Sequence, residues 1–176
     1  IERKGARVVL VTTNGVRDSI EIGMESRYDQ YDLNIEPIPV LVPRERRLVV
    51  NERIDANGQL HTPLDTAELE ALVPKIKEMN VAAIAIGFLH SYRSTAHEME
   101  AAEILRAHFP DIPISLSGLV CPEMREYERF TTTTANAYVQ PLMSRYLRAV
   151  RLALVERGFD CPFYMITSAG NMTTFE

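Results

Sequence analysis

Two stretches of this 176-residue chain are apolar without interruption, and they constrain its fold more than any other feature. Arg7-Val8-Val9-Leu10-Val11-Thr12-Thr13 and Val81 through Leu89 do not alternate with period two. Each therefore reads as a strand covered on both faces, the situation of a parallel sheet held between helices. Ile114-Ser115-Leu116-Ser117 and Phe163-Tyr164-Met165-Ile166 are shorter candidates.

Helical spacing supplies the rest of an α/β pattern. Asp65 to Met79 puts Leu69, Leu72, Val73, Ile76 and Met79 on one face, with Asp65 and Glu68 spaced as a capping box. Pro74 removes the bond to the Glu70 carbonyl and predicts a kink. Thr95 to about His108 carries the same box in Thr95 and Glu98. A third helix is expected from Pro141 to Arg157, with Pro141 in its first turn, Gly158 as terminator and a stripe of Val139, Met143, Leu147, Val150 and Leu154. Between the first two strands, Pro37, Pro39 and Pro43 mark an irregular connection. Arg47 to Asn51 and Gln59 to Thr62 flank Asn57-Gly58, which predicts a hairpin whose two central residues take φ > 0. The order of elements gives an α/β fold with a β-hairpin insertion. A boundary is expected near residues 118–136, where a Thr-rich stretch precedes the long helix.

Composition narrows the functional classes. A net charge of −5 argues against nucleic acid or an anionic membrane surface as the main partner. No run approaches the roughly 18 apolar residues that span a bilayer. Two cysteines, Cys121 and Cys161, are too few for a disulfide framework or a thiolate zinc site, and a reduced, cytoplasmic setting is expected. The chain opens at Ile1 and ends after a loop with no closing element, so it reads as a piece of a longer polypeptide.

Ligands of open α/β sheets collect at the carboxyl ends of strands. After the first strand, Thr12-Thr13-Asn14-Gly15-Val16-Arg17-Asp18 either holds an anion with Arg17 as counter-charge or is a capped turn whose arginine pairs on the surface. After the second, His90 is either an acid–base group or a structural histidine; no second histidine stands at metal-ligand spacing, and no metal is expected. The third candidate is Met124 to Phe130 followed by Thr131-Thr132-Thr133-Thr134. Four threonines are poor helix formers, so they are expected either to line a polar cleft or to form a connector. Near the end, Thr167-Ser168-Ala169-Gly170-Asn171 is either a turn aiming amides at a phosphate or an ordinary loop. No P-loop, Rossmann fingerprint or nucleophile elbow is present.

Several segments, in order, resemble the hydantoinase A / 5-oxoprolinase family of ATP-dependent enzymes: Lys4-Gly5-Ala6-Arg7-Val8, Arg17-Asp18 with Glu21-Ile22-Gly23, Glu52-Arg53, Leu89-His90-Ser91-Tyr92, Ala96-His97-Glu98, Arg125-Glu126-Tyr127-Glu128-Arg129, and Asn136-Ala137-Tyr138-Val139. The resemblance covers essentially the whole chain. It implies a partial actin/hexokinase-like (ribonuclease H-like) lobe with a long crossover helix. Residues 1–135 would be the remainder of the N-terminal lobe, and 136–176 the crossover helix and first strand of a second. Phosphate loops of the Asp-x-Gly-Gly-Thr type would lie outside this stretch. The family pattern departs at Asn14, at Met24 and at Ser168-Ala169-Gly170-Asn171.

The implied activity is ATP- and Mg²⁺-dependent opening of a cyclic amide, with ketone carboxylation as the alternative and a non-catalytic scaffold as the expectation for the isolated piece. The implied catalytic residues are His90, Arg129 and Glu126. Thr12, Thr13, Arg17, Arg125 and Thr132 would contact substrate or anion, and Ser168 and Gly170 the cofactor. A hydantoinase B-like subunit or fused domain is the implied partner, and exposed apolar surface predicts self-association.

Overall fold

A computed structural model describes residues 3–23, 31–35, 39–166 and 170–174. Both uninterrupted apolar runs are strands: β1 (Val8–Thr13) and β5 (Ala83–Gly87), each buried along its whole length. They lie side by side in a four-stranded parallel sheet of order β2-β1-β5-β6, where β2 is Arg47–Val50 and β6 is Ile114–Leu116. Val8 pairs with Ala83 and Thr12 with Gly87, so the carboxyl ends of the two central strands finish level.

The two faces of the sheet differ in side-chain size. On one, Val9, Val11, Ile84 and Ile86 pack under α2 (Thr66–Glu78) and α3 (Ala96–His108). On the other, Val8, Leu10, Ala83 and Ala85 meet Phe130 and Ala137 of α5 (Glu126–Glu156), together with Ile20 of the short α1 (Ser19–Ile22). Alanines and Gly87 on that face bring α5 close. A Cβ built on Gly87 would stand 2.6 Å from the Phe130 ring.

The hairpin is present but built differently from expectation. Its arms are β3 (Arg53–Ile54) and β4 (Leu60–Thr62). Arg47–Val50 instead joins the main sheet, because Leu48 and Val50 are needed in the core beside β1. Only Gly58 takes a left-handed φ, +83°, while Asp55 Oδ1 accepts from the amides of Asn57 and Gln59 and organises the loop from within.

The long helix departs further. α5 is continuous over 31 residues, starting well before Pro141 and including all four threonines. Tertiary burial overrides their poor propensity: Phe130, Thr133, Thr134 and Ala137 face the core. The Thr133 hydroxyl donates to the Arg129 carbonyl at 2.6 Å and the Thr134 hydroxyl to the Thr131 carbonyl at 3.0 Å. Thr131 and Thr132 are exposed. Thr133 and Thr134 therefore face the core, and Thr131 and Thr132 the solvent. The helix ends as expected at Gly158, φ +82°. Its expected stripe, however, is only half-buried or exposed, with Val139 and Met143 open to solvent.

Of the two capping boxes, one half-forms and one does not form. Asp65 accepts from the Glu68 amide at 2.8 Å, but the Glu68 carboxylate turns to the amide of Asn51. α2 then runs as one helix with Pro74 inside it. Thr95 makes no side-chain cap, and Glu98 turns inward. It accepts from the Phe88 amide (3.0 Å), the Ser117 hydroxyl (2.6 Å) and the Gly118 amide (2.8 Å), Ser117 and Gly118 opening the short α4 (Ser117–Val120). Burial raises the Glu98 carboxyl above the ordinary 4.5, against the lowering effect of those donors.

Two outcomes follow from this packing. Gly87→Ala lowers unfolding free energy by about 1–3 kcal/mol in denaturant titration, because α5 must shift off β5; a loss below about 0.5 kcal/mol contradicts the close contact. For Glu98, the folded state holds its proton to higher pH than the unfolded chain, so its contribution to stability falls as pH rises above 4.5. Chemical denaturation at successive pH values upward from 4.5 gives a steeper downward slope in the parent than in Glu98→Gln.

Candidate functional site

Beyond the carboxyl ends of β1 and β2 lies a cleft of about 490 Å³. Asn14, Gly15, Arg17 and Asp18 form one side, Val49 its floor, and Glu126 from the first turn of α5 closes it. Gly15 has φ +96°, a conformation a side chain would strain, and it sits in open space. Asn14 is fixed at the rim: its amide donates to the Val50 carbonyl and its side-chain nitrogen to Asn51 Oδ1, both at 2.9 Å.

Asp18 gathers arginines. Arg44 donates to it from Nε (3.1 Å) and Nη2 (3.2 Å), Arg47 approaches at 3.3 Å, and Arg17 at 3.7 Å. The Arg44 hydrogen bond, followed by the charges of Arg44, Arg17 and Arg47, holds its carboxyl below the ordinary value. Arg47 is itself buried and bonds Glu21 at 2.7 Å and the Val42 carbonyl at 2.9 Å, anchoring α1 to the edge of the sheet.

Behind the cleft, two polar networks occupy the interior. The Thr13 hydroxyl donates to Glu52 Oε1 and accepts from the Leu89 amide at 2.8 Å, and Glu52 Oε2 meets His97 Nδ1 at 2.7 Å. Glu98, Ser117, Ser91 and Arg129 form the second. Arg129 is fully buried; it donates from Nε to Ser117 Oγ (3.1 Å), from Nη1 to the Glu123 carbonyl (3.0 Å), and from Nη2 to the Phe88 carbonyl (2.9 Å) and Glu126 Oε1 (3.3 Å). Thr12 Oγ1, His90 Nδ1 and Glu128 Oε2 are buried with no hydrogen-bond partner among the described residues. His90 follows β5 with φ +56° and its ring lies edge-on to Tyr92, centroids 6.0 Å apart.

Of the residues expected from sequence, the cleft collects Arg17 and Glu126. Thr12, Thr13 and Arg129 lie inside the protein behind it, each 0% exposed. His90 stands at the end of β5, outside the cleft lining. Arg125 points outward, its side chain 71% exposed, with Glu128 at 3.9 Å. Thr132 is on the solvent side of α5. Gly170 is exposed in the turn between β7 (Met165–Ile166) and β8 (Met172–Thr173), with φ +82°; Ser168 lies outside the described residues. Sequence reasoning passed over Glu52, His97, Glu98 and Ser117. The available signal was the pair His97-Glu98 in the first turn of a helix, where one acid and one imidazole point inward side by side. Among the described residues, no three His, Cys, Asp or Glu side chains group as a metal site.

Two family models match: the hydantoinase/oxoprolinase N-terminal region over residues 1–109, and the hydantoinase/oxoprolinase model over residues 129–176. An uncharacterized protein of Methanocaldococcus jannaschii is 39% identical over 97% of this chain and 25% of its own length. The caprolactamase alpha subunit of Pseudomonas jessenii is 36% identical over 98% of this chain and 25% of its own. The crystal structure of that ATP-dependent caprolactamase superposes with TM-score 0.91 over 99% of this chain and 26% of the other, at 35% identity. Nucleotide-free acetone carboxylase superposes with TM-score 0.86 over the same shares, at 25% identity. The chain thus spans about a quarter of the length of these relatives. With matched regions at both ends, 36% identity to the caprolactamase subunit and the same parallel-sheet fold, this chain belongs to the hydantoinase/oxoprolinase family.

Proposed function

We propose that the polypeptide carrying this chain is an ATP-dependent hydrolase that opens a cyclic amide, and that this chain supplies one wall of its active cleft. The reading rests on the caprolactamase match, which exceeds the acetone carboxylase match in both identity (35% against 25%) and TM-score (0.91 against 0.86). Ketone carboxylation is the second reading, carried by that other superposition.

The cleft residues do not fit a triphosphate by themselves. Among the described residues of the lining Arg17 is the one cation; it lies 3.7 Å from Asp18, and the lining also carries Glu126. A polyanion needs positive charge or convergent amides where its charge sits. Grip on ATP and Mg²⁺ is therefore assigned to other parts of the full-length enzyme, and this chain alone is expected to be inactive. Its own contribution is positioning and hydrogen bonding. Arg17 and Glu126 meet a ligand directly, and His90 is the donor or acid–base group at the end of β5, its buried Nδ1 left without a partner among the described residues. Arg125, Thr132, Ser168 and Gly170 remain proposals for contacts completed by the rest of the enzyme.

We assign the chain to an actin/hexokinase-like lobe, residues 1–135, passing into a crossover helix and the start of a second lobe at 136–176, with α5 running through the division. A hydantoinase B-like subunit or fused domain is the proposed partner. The half-bare distal part of α5, with Leu142, Met143, Tyr146, Leu152 and Val155 exposed, supports self-association of the isolated piece. Unpaired Cys121 and Cys161 support a cytoplasmic enzyme, and among the described residues no helix is long and apolar enough to cross a membrane.

The test is ADP release by the full-length enzyme with its partner subunit, given caprolactam in one arm and acetone with bicarbonate in the other. Lactam-stimulated turnover with ring-opened product is expected; stimulation by the ketone alone overturns the reading. In the same assay Arg17→Ala lowers kcat/KM by about tenfold or more, roughly 1.4 kcal/mol. Its half-exposed pair with Asp18 adds little stability, so the thermal midpoint stays within about 2 °C.

A further inference from the structure

His90, at φ +56°, adopts a backbone conformation that is strained for a residue with a Cβ and persists only where its surroundings over-determine it. Here they do. The Phe88 peptide is gripped from both sides, its N–H by Glu98 and its carbonyl by Arg129. The Leu89 N–H is held by Thr13 and the His90 carbonyl by the Arg93 amide at 2.8 Å. Ser91 Oγ lies 2.8 Å from Ser117 Oγ. Ser117 is the hub: its hydroxyl donates to Glu98 and accepts from Arg129 Nε, which leaves Ser91 as donor to it. Glycine or asparagine would fill a left-handed turn position at lower cost. A histidine there is explained by its ring, whose Nδ1 is buried and has no partner among the described residues.

Resting on the proposed reading of His90, we propose that Glu98, Ser117 and Arg129 are positioning residues, a buried clamp that fixes the His90 imidazole for the reaction. The clamp also reaches the cleft, because Arg129 Nη2 serves both the Phe88 carbonyl and Glu126 Oε1, and Glu126 lines the cleft. A ligand that engages Glu126 thereby acts on the same guanidinium that orients the histidine turn.

The experiment uses the full-length enzyme with its partner subunit, ATP and caprolactam, together with ring ¹⁵N and ¹³C spectra of labelled histidine, the His90 signals being identified by their loss in His90→Gln. Ser117→Ala is compared with Leu105→Val, a core change remote from the clamp. Ser117→Ala is expected to lower kcat by about tenfold with KM changed less than about twofold, and to shift the His90 ring signals. Leu105→Val lowers the thermal midpoint without moving either. A Ser117→Ala enzyme with parental kcat and parental His90 signals overturns the clamp, as does a kcat loss no larger than that of Leu105→Val. If Ser117→Ala does not fold, Ser91→Ala removes one arm of the hub and is judged by the same comparison. His90→Gln separates the two ideas. Full activity in that variant overturns the reading of His90 and this proposal with it, whereas an inactive His90→Gln beside a fully active Ser117→Ala overturns only the clamp.

Discussion

The close approach of α5 to β5 is the constraint on which the rest of this structure depends. It exists because one face of the sheet carries alanine and glycine where the other carries isoleucine. Phe130 fills the space above Gly87, and the next residue along, Arg129, is carried into the interior at the end of β5. A larger side chain at position 87 would lift the helix and withdraw the guanidinium from the Phe88 carbonyl. The apolar contact thus sets the polar one, and the polar one sets the turn that bears His90.

The interior beyond the strand ends is unusually polar for so small a sheet. Glu52, His97, Glu98, Arg129 and several hydroxyls are buried there. A buried charge is costly unless it is paired and hydrogen-bonded. Here nearly every such group has partners on other elements, so the networks tie the ends of β1 and β5 to α3, α4 and α5. Among the described residues, Thr12 Oγ1, His90 Nδ1 and Glu128 Oε2 break that rule. Unmet hydrogen-bonding capacity inside otherwise satisfied surroundings marks the place where the fold serves something besides its own stability.

Much of the architecture is legible in the sequence because periodicity reports burial directly. β1 and β5 announce themselves as strands covered on both faces, and α2 by its apolar stripe. Arg47–Val50 misleads, since a short apolar run beside a turn signal suits a hairpin arm and a sheet strand equally well. The threonine run misleads for a different reason: local propensity disfavours a helix that core contacts by Phe130 and Ala137 impose. Glu98 shows the limit of motif spacing. Its position matches a capping box, yet its carboxylate is recruited by amides far along the chain that no local pattern reveals. Of the site, Arg17 was accessible because it follows a strand end, and Glu126 and Arg129 through the segment that carries the family resemblance; the inward roles of Glu52, His97, Glu98 and Ser117 were not, because they arise only when four elements meet.

The final half of the long helix has a mechanical aspect. Its last buried side chain is Ala137, and Pro141, which offers no amide to the preceding turn, comes just after the helix leaves the core. The turns after the proline extend roughly 22 Å at 1.5 Å per residue. A tilt of about 10° at the proline swings the far end by roughly 4 Å over that length. Any change of direction at the proline is thus geometrically amplified at the helix tip.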